Sequence, residues 1–124
     1  MALERPTVTP DAGQPPAQLT ATDLVVGDGA EAKAGQEVEV HYVGVSHSTG
    51  AEFDASWNRG STFSFPLGGR MVIQGWDEGV VGMKVGGRRR LVIPPHMAYG
   101  DHSPTPAIKP GETLVFVVDL VSVR

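Results

Sequence analysis

One segment of the chain has the spacing of an amphipathic helix, and its glycine content limits how that helix can exist. In VIQGWDEGVVGMK, residues 72–84, the large apolar side chains recur three or four positions apart, at Ile73, Trp76, Val80 and Met83. Three glycines interrupt the same segment, and each disfavours a helix by about 0.8–1 kcal/mol relative to alanine. A short helix of this composition is not stable in isolation. We therefore predict a helix that forms only because it packs on the rest of the fold.

Alternation of apolar and polar residues predicts strands before and after this helix. VEVHYVGV, residues 38–45, places Val38, Val40 and Tyr42 on one face, so we expect Tyr42 to point inward. Further short strands are predicted in LTATDLVV, at an edge, and in AEFDASW, STFSFPLGG, RRRLVIPP and TLVFVVDLVSV. Several strands and one helix predict an α+β domain, in which the helix packs across one face of a sheet.

The first part of the chain differs from the rest. Residues 1–17 contain four prolines and few large apolar groups, which is typical of a segment that does not bury enough surface to become ordered. We interpret this segment as a flexible amino-terminal tail. The remainder, residues 18–124, has the length of one domain with a single core.

Composition argues against several function classes. The net charge of −4 and the pI near 5.4 disfavour nucleic acid or an anionic membrane as a partner. The absence of cysteine excludes disulfides, thiolate metal sites and cysteine nucleophiles. No signal-peptide pattern is present, and no stretch has the ~20 apolar residues that span a bilayer. We expect a cytoplasmic protein and take a monomer as the default.

Residues for metal or nucleophilic catalysis do not follow recognised patterns. The serines lie outside any nucleophile elbow, and the four histidines lack the spacing of a zinc helix. His96, Asp101 and His102 could hold a metal ion, but solvated loop histidines are commoner, so we predict no metal and no cofactor. The three arginines at 88–90 alternate across a predicted strand, which favours a salt-bridged edge over an anion site.

The aromatic residues point to a site. A helix that carries Trp76 across the predicted sheet would approach Tyr42, Phe53, Phe63, Phe65 and Phe116. Such a cluster is either a plain hydrophobic core or the wall of a pocket. The pocket is favoured by glycines that remove space-filling side chains, at Gly68, Gly69, Gly75 and Gly79.

Asp54 is unexpected next to an aromatic residue. It directly follows Phe53, which is predicted to face inward. One interpretation is a turn carboxylate that bonds to nearby amides or pairs with Arg59. The other is a carboxylate at the rim of an aromatic pocket.

Several segments resemble one protein family. VEVHYVGV, GAEFDAS, FSFPLGG, VIQGWDEGVVGMKVGGRRRLVIPPHMAYG and IKPGETLVFVVDL have the order and spacing of the FKBP family of peptidyl-prolyl cis/trans isomerases, which also bind macrolide immunosuppressants. The resemblance extends from residue 19 to the end of the chain. It implies a twisted antiparallel β-sheet wrapped around one short α-helix, with a ligand pocket between them and Trp76 as the pocket floor.

The same resemblance implies roles for particular residues. The catalytic pocket would be formed by Tyr42, Phe53, Asp54, Ile73, Trp76, Tyr99 and Phe116, with further substrate contacts from Arg59, Phe63, Val72 and Ile108. The Ile73 N–H and the Tyr99 hydroxyl would donate hydrogen bonds to substrate carbonyls. Asp54 and Arg59 would shape the rim.

The chain departs from the family pattern in two places. Met71 stands where glutamate is frequent, and Pro104, with Ala107 beside Ile108, stands in a loop where histidine is frequent. We expect both departures to alter loop contacts and the preference for the residue before proline. The floor of the pocket should be unaffected.

The implied function is isomerisation of X-Pro bonds in proline-containing polypeptides, in support of protein folding, with macrolides as inhibitors. Rotation about an X-Pro bond breaks no covalent bond and needs no nucleophile, which agrees with the missing catalytic patterns. An alternative is a chaperone-like or macrolide-binding module with little catalysis. A small anion-binding domain that uses the arginines at 88–90 is a third interpretation, which the acidic pI disfavours.

Overall fold

Strands make up most of the regular secondary structure of the described residues, and the one α-helix among them is short. The computed structural model describes residues 4–10, 13–106 and 108–124. The strands are β1 (Thr20–Val25), β2 (Glu37–Ser46), β3 (Glu52–Ala55), β4 (Phe63–Pro66), β5 (Arg88–Ile93) and β6 (Leu114–Val123). The helix is α1 (Gln74–Gly79), and 3₁₀ turns form at Ser56–Arg59 and Pro95–Met97. The predicted α+β class and the predicted strands are confirmed.

Strand β2 organises the sheet. The strand order is β1-β5-β6-β2-β3, with β4 also paired to β2, and every pair is antiparallel. Strand β4 pairs with Glu37–Val40 of β2, while β3 pairs with Val43–Val45. Two short strands therefore follow each other along β2, and each supplies walls to the cavity described below.

Helix α1 lies very close to strand β5. A Cβ at Gly75 would be 2.5 Å from Ile93 Cγ2, and a Cβ at Gly79 would be 2.8 Å from Leu91 Cδ2. These two glycines therefore allow the helix to approach the sheet, and the expectation that they open space for a ligand is wrong. The helix is also shorter than its apolar spacing predicts, since it ends at Gly79 and Gly82 follows with φ +91°.

The main core lies between α1 and the inner face of the sheet. Trp76, Val80 and Met83 are buried there together with Tyr42 and Leu91. Tyr42 is 6% exposed, which confirms its predicted inward direction. Full burial of one large apolar side chain is worth about 1.5–3 kcal/mol, so packing stabilises a helix that its glycines disfavour.

The outer face of the sheet is also covered. The valines that point outward from β2, β5 and β6 are nearly inaccessible: Val43, Val45, Val92, Val115 and Val117. Val8 packs against three of them. Within residues 4–10, which we call the N-terminal strap, Pro6, Val8 and Pro10 are half-buried and the residues between them are exposed. The strap has a period-two pattern of its own.

The strap belongs to the segment that the sequence predicts to be a flexible tail. Residues 4–10 lie against the sheet in the structure, whereas the division of the chain at residue 17 stays a prediction. No helix in the described part of the chain is long and apolar enough to cross a membrane.

Candidate active site

A cavity of about 310 Å³ opens at the side of the sheet where the aromatic residues gather. Its walls are Tyr42, Phe53, Asp54, Phe63, Met71, Val72, Ile73, Trp76, Tyr99 and Phe116. All of these except Met71 are site residues expected from the sequence. The aromatic cluster is therefore both a core and the wall of a pocket, and the volume falls within the range of small-molecule sites.

Trp76 forms the floor, with two rings against its sides. The Tyr42 ring centroid lies 4.8 Å from that of Trp76 at 76°, and the Phe116 centroid lies 5.2 Å away at 80°. Edge-to-face packing of this kind suits the charge distribution of aromatic rings. Trp76 is 5% exposed, and its indole Nε1 has no hydrogen-bond partner. The floor is apolar and closely packed, and Trp76 is held in place by α1.

A β-bulge explains how neighbouring residues both reach the cavity. Gly44 pairs with Asp54 and Val45 pairs with Glu52, so Phe53 has no partner of its own. Successive side chains of a regular strand point to opposite faces of the sheet. The extra residue of a bulge interrupts this alternation, so that neighbouring side chains can reach the same side. Phe53 thus packs on Phe116, with centroids 5.4 Å apart at 88°, while Asp54 also lines the cavity.

Gly44, opposite the bulge, was not identified from the sequence. A Cβ at this position would lie 2.6 Å from Phe116 Cε1 and 2.7 Å from Phe53 Cζ. Glycine is therefore required where β2 passes under the two rings. The sequence signal was a glycine inside an alternating strand, which often marks a bulge or a close approach.

Three polar side chains form a closed ring at the rim. The Tyr42 hydroxyl donates to Asp54 Oδ2 at 2.5 Å. Arg59 Nη1 donates to Asp54 Oδ1 at 2.9 Å, and Arg59 Nη2 donates to the Tyr42 oxygen at 2.9 Å. Both interpretations of Asp54 are correct at once, since it pairs with Arg59 and it lies at the rim. Arg59 is outside the cavity wall and acts on it through this ring.

The two tyrosines of the cavity keep their protons. Burial raises the pKa of Tyr42, and the hydrogen bond to Asp54 raises it further, against the opposing effect of Arg59. Burial also raises the pKa of Tyr99, with a smaller contribution from the charge of Asp54. Both hydroxyls therefore remain neutral donors beyond the usual tyrosine pKa of about 10.

Ser56 positions Tyr42 from behind. Its hydroxyl is fully buried, accepts the Tyr42 N–H at 2.7 Å and lies 2.9 Å from His41 Nδ1. The 3₁₀ turn that begins at Ser56 is thus joined to β2 by side-chain hydrogen bonds. This role of Ser56 has no signal in the sequence, because serine before a turn is common.

Asp77 positions the segment before the helix. Its carboxylate accepts the N–H groups of Gly68 and Arg70, both at 2.9 Å. Arg70 has φ 60°, a conformation that non-glycine residues rarely adopt. The loop is therefore attached to α1 just before the wall residues Val72 and Ile73. The acid that directly follows Trp76 therefore has a structural role.

Two hydrogen-bond donors at the cavity are free. In the described residues, neither the Ile73 N–H nor the Tyr99 hydroxyl has an acceptor. Ile73 is the residue before α1, and its carbonyl already accepts the Trp76 N–H at 3.0 Å. Tyr99 follows the second 3₁₀ turn and is 36% exposed.

Ile108 shares the core cluster with Tyr42, Trp76 and Phe116 but does not line the cavity. It is 3% exposed. The Ser103 hydroxyl contacts its carbonyl oxygen at 2.6 Å. Of the two departures from the family pattern, Met71 is 72% exposed at the mouth of the cavity, and Pro104 is exposed in the loop. Ala107 lies outside the described residues.

The remaining charged candidates are structural. Arg88 pairs with Asp119 at 2.6 Å, and Arg89 pairs with Asp23 at 2.7 Å. The salt-bridged interpretation of the arginines at 88–90 is thus confirmed for these two. Among the described residues, no group of three histidine, aspartate or glutamate side chains could hold a metal ion.

Sequence comparison gives consistent matches. A family model described as FKBP-type peptidyl-prolyl cis-trans isomerase matches residues 29–121. An FK506-binding protein of Streptomyces anulatus is 60% identical, over 99% of this chain and 100% of that protein. A probable FK506-binding protein of Corynebacterium glutamicum is 53% identical, over 97% of this chain and 99% of that protein.

Solved structures agree in fold. AtFKBP13 matches with a TM-score of 0.77 and 38% identity, over 86% of this chain and 93% of that chain. FkpA from Escherichia coli matches with a TM-score of 0.75 and 42% identity, over 86% of this chain and 48% of that chain. Because the family model covers most of the sequence and two relatives match it almost end to end, the chain belongs to the FKBP-type peptidyl-prolyl cis-trans isomerase family.

Proposed function

We propose that this isomerase acts on X-Pro bonds of polypeptides, assists protein folding and binds macrolides of the FK506 type in the same cavity. The supporting observation is an apolar floor, Trp76, beside two free donors, the Ile73 N–H and the Tyr99 hydroxyl. An apolar floor suits the pyrrolidine ring of proline. The donors suit backbone carbonyls on either side of that ring, or the carbonyls of a macrolide.

The physical basis is the loss of amide resonance during rotation. The barrier in water is ~18–20 kcal/mol. The planar amide is more dipolar than the half-rotated one, so an environment poor in water disfavours the planar state more. Trp76 and Phe116, which are 5% and 3% exposed, provide such an environment. Each tenfold acceleration requires about 1.36 kcal/mol of this difference.

The free donors contribute orientation. A carbonyl held by the Ile73 N–H keeps one side of the bound chain still, so that only the prolyl side has to turn. In the ring of Tyr42, Asp54 and Arg59, each pair of side chains is joined by one hydrogen bond. In this proposal the ring shapes the rim and transfers no proton.

A proline-isomerisation assay tests the proposal. We expect saturable acceleration of the cis-to-trans change in a short X-Pro peptide, and competitive inhibition by a macrolide of the FK506 type. Trp76→Leu should reduce both effects, whereas Arg124→Ala, which removes an exposed ion pair with Glu37, should leave both unchanged. Macrolide binding without acceleration would favour the binding-module alternative. Absence of both would refute the proposal.

The same proposal covers the protein substrates, the oligomeric state, the cellular location and the partners of the chain. The chain should accelerate refolding of a protein whose slow phase is proline isomerisation, which takes tens of seconds when uncatalysed. We also propose a monomer in the cytoplasm without nucleic-acid or membrane partners, and the net charge of −4 supports the last point. Light scattering, cell fractionation and polyanion retention test these three statements.

A further inference from the structure

The N-terminal strap reaches the rim of the active site. Arg5 Nη1 donates to Asn58 Oδ1 at 2.7 Å, and Arg5 also forms an ion pair with Glu52. The Asn58 side-chain amide donates to Glu52 Oε2 at 3.0 Å. Arg5 is thus the third member of a closed group with one partner on β3 and the other in the first 3₁₀ turn.

These two partners enclose the residues that form one wall of the cavity. Between Glu52 and Asn58 lie the bulged Phe53 and the rim carboxylate of Asp54, and Arg59 follows directly. Strand β3 has only four residues, and its register with β2 shifts at the bulge. A short strand with an irregular ladder offers few backbone hydrogen bonds. The wall therefore depends on support from elsewhere.

The strap has its own attachment to the central sheet. Arg88 on β5 donates to the Glu4 carbonyl, and Arg90 donates to the Thr9 carbonyl at 2.9 Å. Val8 packs on Val45, Val92 and Val115 from three different strands. Contacts on both sides of Arg5 thus hold its backbone against the best-paired part of the fold.

We propose that Arg5 is a positioning residue for the isomerase reaction, which holds the segment 52–59 and, through it, the bulged Phe53 and the rim ring of Asp54. The strap lies outside residues 29–121, which the family model matches, so this support comes from outside the matched domain. The expected effect of Arg5 on the kinetics of isomerisation rests on the proposed function. Its expected effect on the structure of segment 52–59 rests on the contacts alone.

Arg5→Ala tests the kinetic consequence. We expect the KM for an X-Pro peptide to rise about two- to fivefold with kcat nearly unchanged, which is the range that loss of an exposed ion pair supports. The rise should shrink at high salt, because the pair is then already screened. Arg124→Ala removes another exposed ion pair, with Glu37, that lies outside residues 52–59 and should change neither parameter.

Hydrogen exchange tests the structural consequence without reference to activity. In Arg5→Ala, exchange of residues 52–60 should accelerate, while exchange of the central strands β2 and β6 stays as in the wild type. Arg124→Ala should leave residues 52–60 unchanged. These point variants retain the strap, so they avoid the unfolding that a deletion could cause.

A charge exchange provides the rescue. Arg5→Glu should raise KM more than Arg5→Ala, because it places two carboxylates side by side. Adding Glu52→Arg should restore KM and slow exchange, since Asn58 has both a donor and an acceptor for the reversed pair.

The outcomes separate the two proposals. Unchanged KM and unchanged exchange in Arg5→Ala, or no rescue in the double variant, would overturn the role of Arg5 in an otherwise active enzyme. An inactive wild type would overturn the proposed function, and the exchange result would then still decide whether Arg5 holds the wall.

Discussion

At the scale of single residues, the shape of the cavity depends on a glycine and on a buried serine. Gly44 leaves room for the rings of Phe53 and Phe116, and Ser56 satisfies the buried Tyr42 N–H. Neither residue lines the cavity. Some residues therefore position the side chains of the cavity wall without lining the cavity themselves. Substitutions at Gly44 and Ser56 test this indirect role.

Gly44→Ala should disturb the wall directly. The new Cβ would meet two aromatic side chains at 2.6 and 2.7 Å, so the rings of Phe53 and Phe116 must move. We expect kcat/KM to fall at least about tenfold, equivalent to 1.36 kcal/mol of transition-state stabilisation. Val117→Ala, on the outer face of β6, is the control. It should lower the free energy of unfolding and leave kcat/KM of the folded protein within about twofold.

Ser56→Ala should act through Tyr42. Removal of the hydroxyl leaves the Tyr42 N–H buried without an acceptor, which costs about 1–3 kcal/mol of unfolding free energy. Urea denaturation measures the loss. Ser61→Ala, at an exposed serine beyond the same turn, should change stability by less than about 0.5 kcal/mol, and equal effects at both sites would contradict the assignment.

The pH dependence of activity follows from the tyrosines. Burial raises the pKa of Tyr42 and of Tyr99, so both stay protonated throughout the neutral range. We expect kcat/KM to be constant between about pH 6 and pH 9. A bell-shaped profile with a steep loss near neutrality would instead indicate proton transfer during catalysis.

The same raised pKa values set the sign of an effect on stability. A group whose pKa is higher in the folded state stabilises the fold below its unfolded pKa and loses that contribution as the pH rises through the folded value. For Tyr42 and Tyr99 the loss therefore begins above about pH 10. Thermal unfolding at increasing pH measures it.

At the scale of elements, α1 depends on the sheet. Its length of six residues is too short for independent stability, and its glycines face Ile93 and Leu91. The spacing of apolar residues predicted which side is buried but not where the helix ends. The end depends on Gly82, whose positive φ turns the chain away.

Gly75→Ala tests this dependence, because two effects oppose each other. Alanine favours a helix by about 0.8–1 kcal/mol over glycine, but its Cβ would lie 2.5 Å from the Ile93 side chain. Overpacking typically costs about 1–3 kcal/mol, so we expect a net loss of stability. Glu78→Ala, on the exposed face of α1, is the control and should be nearly neutral. A gain in stability for Gly75→Ala would mean that helix and sheet separate easily.

At the scale of the whole molecule, both faces of the sheet are covered at the central strands β2, β5 and β6, the inner face by α1 and the outer face in part by the N-terminal strap. Deletion of residues 1–10 should expose the valines on the outer face of the sheet against which Val8 packs. We expect the free energy of unfolding to fall by about 1–3 kcal/mol and self-association to increase, as measured by urea denaturation and light scattering. Val8→Ser should reproduce part of the loss, and unchanged stability in both variants would show that the strap covers nothing of consequence.

The sequence by itself determined the strands, the direction of Tyr42 and most of the cavity wall, because alternation and helical spacing record burial locally and the family motifs are contiguous. Only the tertiary structure decided that Phe53 and Asp54 share a side, that Ile108 lies in the core and that Gly75 serves packing. Each of these depends on a contact between residues far apart in the chain. The strap shows the limit most clearly, since its proline-rich composition is that of a tail and only the valines of three other strands give it a surface to lie on.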